Sequence, residues 1–316
     1  MSDIITYEMR NGALPTTEAD LALFEECMSV AVPFNSHWMD TNNEIKIMHW
    51  DAEWEKYIAH MAALIDSEGR DSYLPWNLYK TLGVNWVDGY AFQQRTGDCV
   101  SFSHRNSLNA SALTMARRTG LVPKGIANSM TYSLARGNGR VAFGSGLNLN
   151  PMSKWAATVG NFWSDDFGPY DVGAYTRKYK PNSQQTKNAL KTQSVVIYLP
   201  DTGFDYIYSA CMAGFGVAVG SSVYPSSSTL NSDDLGEVSG WARGSHATAF
   251  VAARKGKKTG RRYVYFLNSH LQNYVADSLS GGLKQRGCWM SEADVKKMCT
   301  NFTFGTYYVN LSELGS

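Results

Sequence analysis

The chain has 316 residues, 44% of them hydrophobic, and its formal net charge at pH 7 is +1. This length and composition predict one large domain, or two closely packed ones, around a substantial apolar core. The balanced charge gives no indication of nucleic acid or of a membrane surface as a partner. The chain has no apolar run of about 18 residues, so we expect no transmembrane helix.

The five cysteines are spread widely, at positions 27, 99, 211, 288 and 299. No two of them form a CxxC pair, so we expect no structural zinc, and no other metal or cofactor. A sparse, unpaired set of thiols is typical of a reducing compartment. The charged N-terminus lacks the apolar core of a signal peptide. We therefore predict a cytoplasmic protein, with a place in a virion as the alternative.

The first half of the chain is rich in predicted helices. After Cys99 the chain has no Pro or Gly as far as position 118, and its apolar residues recur at helical spacing. This pattern predicts a long helix that begins at or near Cys99. The other predicted segments are short helices over residues 17–28, 49–67 and 151–159, and loops over residues 74–97 and 124–150.

The second half is rich in predicted strands, which cover residues 194–199, 216–220, 247–253, 263–267 and 304–309. A helix is predicted over residues 205–212, and Ser291 followed by Asp294 predicts the capped start of another. The polar residues 226–234 are predicted to form an exposed loop, and the basic run 254–262 a hairpin turn. Helices first and strands second predict an α+β fold.

Cys99 is the candidate nucleophile. A thiol reacts as its thiolate, and both a helix N-terminus and a neighbouring imidazolium favour that form. His246 enters one predicted strand and Asn268 ends the next. Two consecutive strands joined by a short turn are antiparallel neighbours, so the start of one lies beside the end of the other. Strand geometry therefore predicts that His246 and Asn268 are adjacent, as a base and the group that orients it.

A polar side chain upstream of Cys99 completes the candidate site. Acyl transfer needs hydrogen-bond donors for the developing oxyanion. The backbone N–H of Cys99 is one candidate donor and the side-chain amide of Gln93 is the other, with Gln94 as its alternative. His270 is the alternative to His246 as the base.

These residues resemble the papain family of cysteine peptidases. The matching segments are QQRTGDC at 93–99, SHATAF at 245–250 and FLNS at 266–269, in the family's order of Gln, Cys, His and Asn. His246 lies within the family's usual spacing of about 130–150 residues after the Cys, and Asn268 lies somewhat beyond it. The resemblance implies a papain-like fold, with a helical subdomain around the nucleophile helix packed on an antiparallel β subdomain.

Three positions depart from the family's pattern. Asp98 stands before the nucleophile where the family has a small residue, and Val100 follows it where the family has an aromatic one. His270 stands where the family has the tryptophan that shields the bond between His and Asn. An acidic side chain beside a thiol opposes formation of the thiolate.

The resemblance implies a thiol hydrolase that cleaves polypeptides through a thioester on Cys99. In this interpretation His246 is the acid and base, Asn268 orients it and Gln93 donates to the oxyanion. One alternative is an inactive papain-fold structural protein, for example in a phage virion with other assembly proteins. The other is a thiol amidase or acyltransferase that uses the same residues.

The same resemblance divides the chain into three segments. Residues 1–80 are expected to be an N-terminal extension, either a pro-segment-like piece or a docking arm. Residues 81–195 are expected to form the helical subdomain with Cys99, and residues 196–316 the β-rich subdomain with His246 and Asn268.

Overall fold

The computed structural model describes residues 47–49, 71–81, 97–119, 149, 152, 182–190, 194–198, 203–212, 214–280, 283, 285–299 and 302–310. The helices in these ranges are α1 (Pro75–Thr81), α2 (Cys99–Thr119), α3 (Ser183–Leu190), α4 (Phe204–Met212) and α5 (Glu292–Cys299). The helix predicted to begin at Cys99 and the helix over 205–212 are confirmed. The predictions for residues 17–28, 49–67, 124–150 and 151–159 lie wholly or mostly outside the described residues.

Two of these helices differ from the sequence predictions. Residues 74–97 were expected to be loop, but α1 begins there at Pro75. Proline is favoured at the first helical position, because its missing N–H would have no partner in the helix. Helix α3 was not predicted, although Asn182 and Gln185 form a reciprocal cap at its start, with N···O distances of 2.8 and 2.9 Å.

Helix α5 begins as its sequence predicts. Ser291 precedes the helix, and its backbone N–H donates to the Asp294 carboxylate at 3.0 Å. The Ser291 hydroxyl donates to the same carboxylate oxygen at 2.6 Å. The side chain three positions into the helix therefore satisfies the donors of the capping residue.

Eight strands of the described residues join in one mixed sheet: β1 (Ile47–His49), β2 (Ser72–Tyr73), β3 (Ser194–Tyr198), β4 (Val217–Leu230), β5 (Gly236–Lys255), β6 (Arg262–Leu267), β7 (Gly287–Ser291) and β8 (Phe302–Asn310). Their order is β1-β3-β8-β4-β5-β6-β7, with β2 also paired to β5. All five predicted strands are confirmed. The sheet combines with the helices as the predicted α+β fold requires.

The hairpin of β4 and β5 is longer than its sequence indicates. Residues 226–230, predicted to be loop, continue β4 and pair with the beginning of β5, as in Leu230 with Gly236. These residues lack the alternation of apolar and polar side chains that predicts a strand, because this part of the hairpin is partly exposed on both faces. The turn itself is held by Asn231, whose side-chain oxygen accepts from the N–H groups of Asp233 and Leu235 at 2.9 and 3.0 Å.

The early start of β5 moves His246 from a strand entrance to a strand interior, which corrects the sequence prediction. The antiparallel pairing of β5 with β6 is confirmed, and Ala249 lies opposite Leu267. Residues 256–261 of the predicted basic turn form a hairpin turn, whereas Arg254, Lys255 and Arg262 at its ends belong to the two strands. Asp233 accepts from the N–H of Lys258 at 2.7 Å, so its side chain joins this turn to the neighbouring one.

Alternate residues of β6 enter two apolar clusters, as the two-residue period of a strand requires. Val264 and Phe266 pack in a cluster with α4, α5 and β4. Tyr263, Tyr265 and Leu267 pack in a second cluster on the other face. The free cysteines at 211 and 288 are buried in the first cluster.

Residues near the end of the predicted N-terminal extension belong to this core. Tyr73 lies in the first cluster, and Leu74 and Trp76 lie in the second. Strand β2 also pairs with β5, so the sheet joins strands of the predicted N-terminal extension to strands of the predicted β-rich subdomain. The segment boundaries stay predictions. Among the described residues, no helix is both long and apolar enough to cross a membrane.

Helix α2 lies against the sheet along one narrow face. Cys99, Ser103, Ser107 and Ser111 recur every four residues, which places them on the same side of the helix. The Ser103 hydroxyl donates to the carbonyl of Thr248 on β5. At the other end, the Ser111 hydroxyl accepts from the N–H of a glycine just before β4, at 3.1 Å. Small side chains therefore allow the helix and the sheet to approach closely.

Replacing Gly216, the glycine at this contact, is expected to destabilise the protein. A Cβ atom at Gly216 would lie 2.3 Å from the carbonyl oxygen of Ser107, and a helix backbone cannot move aside alone. We expect Gly216→Ala to lower the free energy of unfolding by about 1–3 kcal/mol, measured by urea denaturation. Gly220→Ala is the matched control, because its Cβ meets only Leu149 at 3.5 Å. Equal stability of the two variants would contradict the prediction.

Candidate active site

Cys99 is the first residue of α2 and is completely buried. Its sulfur accepts a hydrogen bond from the backbone N–H of Ala247 on β5, with an N···S distance of 3.4 Å. Because Ala247 follows His246 directly, this contact places the thiol against the part of β5 that carries the predicted base. The predicted nucleophile therefore lies where the positive end of the helix meets the sheet.

His246 and Asn268 are in contact, as strand geometry predicts. Nε2 of His246 and Oδ1 of Asn268 are 2.8 Å apart, and both side chains are buried. The histidine comes from the interior of β5, and the asparagine comes directly after β6. The structure thus brings Cys99, His246 and Asn268 together from three separate elements. Gln93 and Gln94 lie outside the described residues.

The Asn268 carboxamide is held by further hydrogen bonds. Its oxygen also accepts from the backbone N–H of His270, at 3.1 Å. Its nitrogen donates to the hydroxyl of Tyr274 at 3.1 Å. The same hydroxyl donates to the carbonyl oxygen of Pro225 on β4, at 2.6 Å. The candidate site therefore extends beyond the predicted residues to β4 and to the segment that follows β6.

Two aromatic rings lie near the imidazole of His246. The ring of His270 is stacked on it, with centroids 5.0 Å apart and an interplanar angle of 26°. The ring of Tyr224 lies at 4.8 Å and is tilted by 54°. His270 thus occupies a ring-stacking position beside His246. The Cys99 thiol contacts Ala247, which is the neighbour of His246 in the chain. This contact favours His246 over His270 as the candidate base.

Sequence reasoning missed Tyr224, Pro225 and Tyr274. A tyrosine within a polar strand and a tyrosine in a loop carry no local pattern that indicates a shared site. Only the pairing of β4 with β5 and the path of the chain after β6 place them around His246 and Asn268.

The electrostatic surroundings of Cys99 act in opposite directions on its pKa. Burial raises the pKa of the thiol most strongly, and the charge of Asp98 raises it further. The backbone N–H of Ala247 lowers it, as do those of Val100 and of Cys99 itself. A thiol this deeply buried does not ionise into water. It forms a thiolate only if a neighbouring group, such as His246, keeps the proton close by.

Burial shifts the pKa of His270 in the opposite direction, although it again favours the neutral form. It lowers the pKa of that imidazole, because the charged form loses its hydration. His270 therefore remains neutral beside His246 at neutral pH. Among the described residues, no group of three His, Cys, Asp or Glu side chains could hold a metal ion.

No protein-family model matches the chain, and no curated protein matches it. Solved structures of cysteine proteases do match it. Xylellain, a cysteine protease from Xylella fastidiosa, is 17% identical with a TM-score of 0.51, over 70% of this chain and 82% of its own. Procathepsin B S9 from Trypanosoma congolense is 10% identical with a TM-score of 0.54, over 96% of this chain and 87% of its own.

A third match is the ragweed pollen allergen Amb a 11, a cysteine protease in its proform. It is 14% identical with a TM-score of 0.50, over 96% of this chain and 77% of its own. At sequence identities this low, similarity to these structures shows a shared fold and nothing further. The chain has a papain-like fold of the α+β class, as predicted.

The lowered pKa of His270 leads to a prediction about stability at acid pH. The unfolded chain takes up a proton at His270 near its ordinary pKa of about 6.5, before the folded protein does. Above about pH 6.5, protonation of His270 therefore does not change the free energy of unfolding. As the pH falls below that value, the unfolded chain binds the proton more strongly, and the folded protein becomes less stable. We expect the melting temperature to fall more between about pH 7.5 and pH 5 in the wild type than in His270→Phe. An equal fall in both proteins would contradict this prediction.

Proposed function

We propose that the protein is a papain-like cysteine peptidase in which Cys99 is the nucleophile, His246 the acid and base, and Asn268 the group that orients His246. One observation carries the proposal. The Cys99 thiol contacts the residue that follows His246, while His246 is bonded to Asn268 at 2.8 Å. A nucleophile needs a base close to it and a further group that orients the base, and these two contacts support that arrangement.

The two nitrogens of the His246 imidazole have different roles in the proposed reaction. Nε2 of His246 faces an amide oxygen, which only accepts, so Nε2 carries a hydrogen. Nδ1 is then the nitrogen that takes the proton from Cys99. The thiolate attacks the carbonyl carbon of a peptide bond, and the negative charge moves to its oxygen. The Cys99 N–H and the Gln93 amide are the proposed donors to that oxygen.

His246 completes the reaction by returning the proton. Protonated Nδ1 gives its hydrogen to the leaving amine, and the acyl group remains on Cys99 as a thioester. His246 then removes a proton from water as the water attacks the thioester. The acid leaves, and the thiol is restored. The buried position of His246 favours proton transfer between these partners over exchange with solvent.

A second candidate function is a papain-fold scaffold with little or no catalysis. Its support is the burial of Cys99 together with the adjacent carboxylate of Asp98, since both raise the pKa of the thiol. The further assignment to a virion gains no support from the similar structures. An amidase or acyltransferase would use the same three residues, and differs in the group that accepts the acyl chain.

Selective alkylation tests the proposed function. We expect iodoacetamide at neutral pH to label Cys99 much faster than Cys211, as read by peptide mapping. Cys211 is the internal control because it is also fully buried, and burial alone raises its pKa. His246→Ala should remove the difference. Labelling of Cys99 no faster than Cys211 in the folded wild type would refute the peptidase and favour the scaffold.

The substrate class is tested separately from thiol reactivity. The wild type should cleave an unfolded polypeptide, and Cys99→Ala should not. An enzyme that releases free acid only from small amides, or that transfers the acyl group to an added amine, would instead be an amidase or an acyltransferase.

Asp98→Asn is expected to increase the reactivity of Cys99. Asparagine is as good a residue as aspartate immediately before a helix, so the change removes the charge and keeps the capping capacity. Without that charge the pKa of the thiol falls, and more thiolate is present at neutral pH. The alkylation rate at pH 7 should rise about three- to tenfold. An unchanged or lower rate in a variant of wild-type stability would show that Asp98 does not oppose the thiolate.

A further inference from the structure

We infer that Tyr274 is a positioning residue for the proposed peptidase: by fixing the orientation of the Asn268 carboxamide, it sets which nitrogen of His246 is free to act as the base. The inference rests on the proposed function. Its evidence is a continuous chain of hydrogen bonds from the Pro225 carbonyl to the His246 imidazole.

The first step is the direction of the Tyr274 hydroxyl. A phenol has one hydrogen to donate, and it lies 2.6 Å from the carbonyl oxygen of Pro225. A carbonyl oxygen can only accept. The hydrogen of Tyr274 therefore points to Pro225, and the hydroxyl presents lone pairs to its other neighbour.

The second step is the orientation of Asn268. The carboxamide atom 3.1 Å from Tyr274 must be a donor, because the hydroxyl has no hydrogen left to give it. The nitrogen of the amide therefore faces Tyr274. Its oxygen faces His246 and also accepts from the backbone N–H of His270. The Tyr274 side chain on one side and the His270 backbone on the other therefore require the same orientation of the carboxamide.

The third step is the state of the imidazole. With the Asn268 oxygen against it, Nε2 of His246 carries a hydrogen whether the ring is neutral or charged. Nδ1 then gains and loses the proton. A flipped carboxamide would present its NH2 group to Nε2, and would favour the tautomer with the hydrogen on Nδ1. In that tautomer His246 cannot accept the proton of Cys99.

Burial makes this chain necessary. His246, Asn268 and Tyr274 are 1%, 2% and 4% exposed, so water has little access to replace a missing partner. Burial also raises the pKa of Tyr274 well above its ordinary value, so the phenol keeps its hydrogen at the pH of any assay. Among the described residues, the titratable rings of His270 and Tyr224 lie beside the imidazole, and the Cys99 thiol contacts the next residue, Ala247.

Tyr274→Phe removes only the hydroxyl, and Tyr265→Phe is its matched control. Tyr265 is likewise buried, but its ring lies in the other apolar cluster and its hydroxyl has no hydrogen-bond partner among the described residues. We expect Tyr274→Phe to slow Cys99 alkylation at neutral pH about tenfold, because a buried amide donor loses its acceptor. The alkaline limb of the pH profile, where the imidazolium loses its proton, should move to lower pH, because a less well stabilised imidazolium has a lower pKa. Tyr265→Phe should leave both the rate and the profile unchanged.

A double-mutant cycle separates positioning from general stability. If Tyr274 acts through Asn268, Tyr274→Phe should have no further effect on alkylation in an Asn268→Ala background. The same loss in both backgrounds, or a loss accompanied by an unshifted pH profile, would overturn the inference.

The imidazole can also be observed directly in the unmodified protein. Nitrogen-15 NMR of the histidine side chains should show His246 with its hydrogen on Nε2, and a mixture of tautomers in Tyr274→Phe. A wild-type His246 with the hydrogen on Nδ1 alone would overturn the inference. This measurement does not require a reactive thiol, so it remains decisive if Cys99 fails the alkylation test and the proposed peptidase is abandoned.

Discussion

The close approach of helix α2 to the sheet is the constraint on which the candidate site depends. Cys99 and the serines at 103, 107 and 111 form the face of the helix that meets β4 and β5, and Gly216 leaves no side chain at the tightest point. Larger residues there would hold the helix further from the sheet. The Cys99 sulfur would then lose its bond to the N–H of Ala247, and the thiol would move away from His246.

Burial shapes the chemistry of this site in two ways. It raises the pKa of the Cys99 thiol, so that ionisation depends on a partner that can hold the proton. It also makes each polar group depend on protein partners, because a buried donor or acceptor without one is costly. The bonds of Asn268 to His246, His270 and Tyr274 satisfy that requirement. The low dielectric of the buried site disfavours an isolated Cys99 thiolate. It also strengthens the attraction between that thiolate and a protonated His246 once the proton has moved.

The departures from the papain pattern have different physical consequences. His270 stands in place of a tryptophan, yet its ring still stacks on His246 and, kept neutral by burial, adds no opposing charge at neutral pH. Asp98 acts differently, since its charge raises the pKa of the Cys99 thiol and so opposes the thiolate. The second position after Asn268 is therefore filled by another flat ring, whereas the residue before Cys99 alters the electrostatics of the proposed nucleophile.

The sequence by itself determined the helix at Cys99, the strands around His246 and Asn268, and the antiparallel pairing that makes these two residues adjacent. Those features follow from local periodicity and from a short hairpin turn, which act over a few residues. The tertiary structure alone decided the length of β4, the stacking of His270 and the bonds of Tyr274 to Asn268 and Pro225. These contacts join residues whose neighbours along the chain carry no common pattern, because side-chain packing, and not local propensity, brings them together.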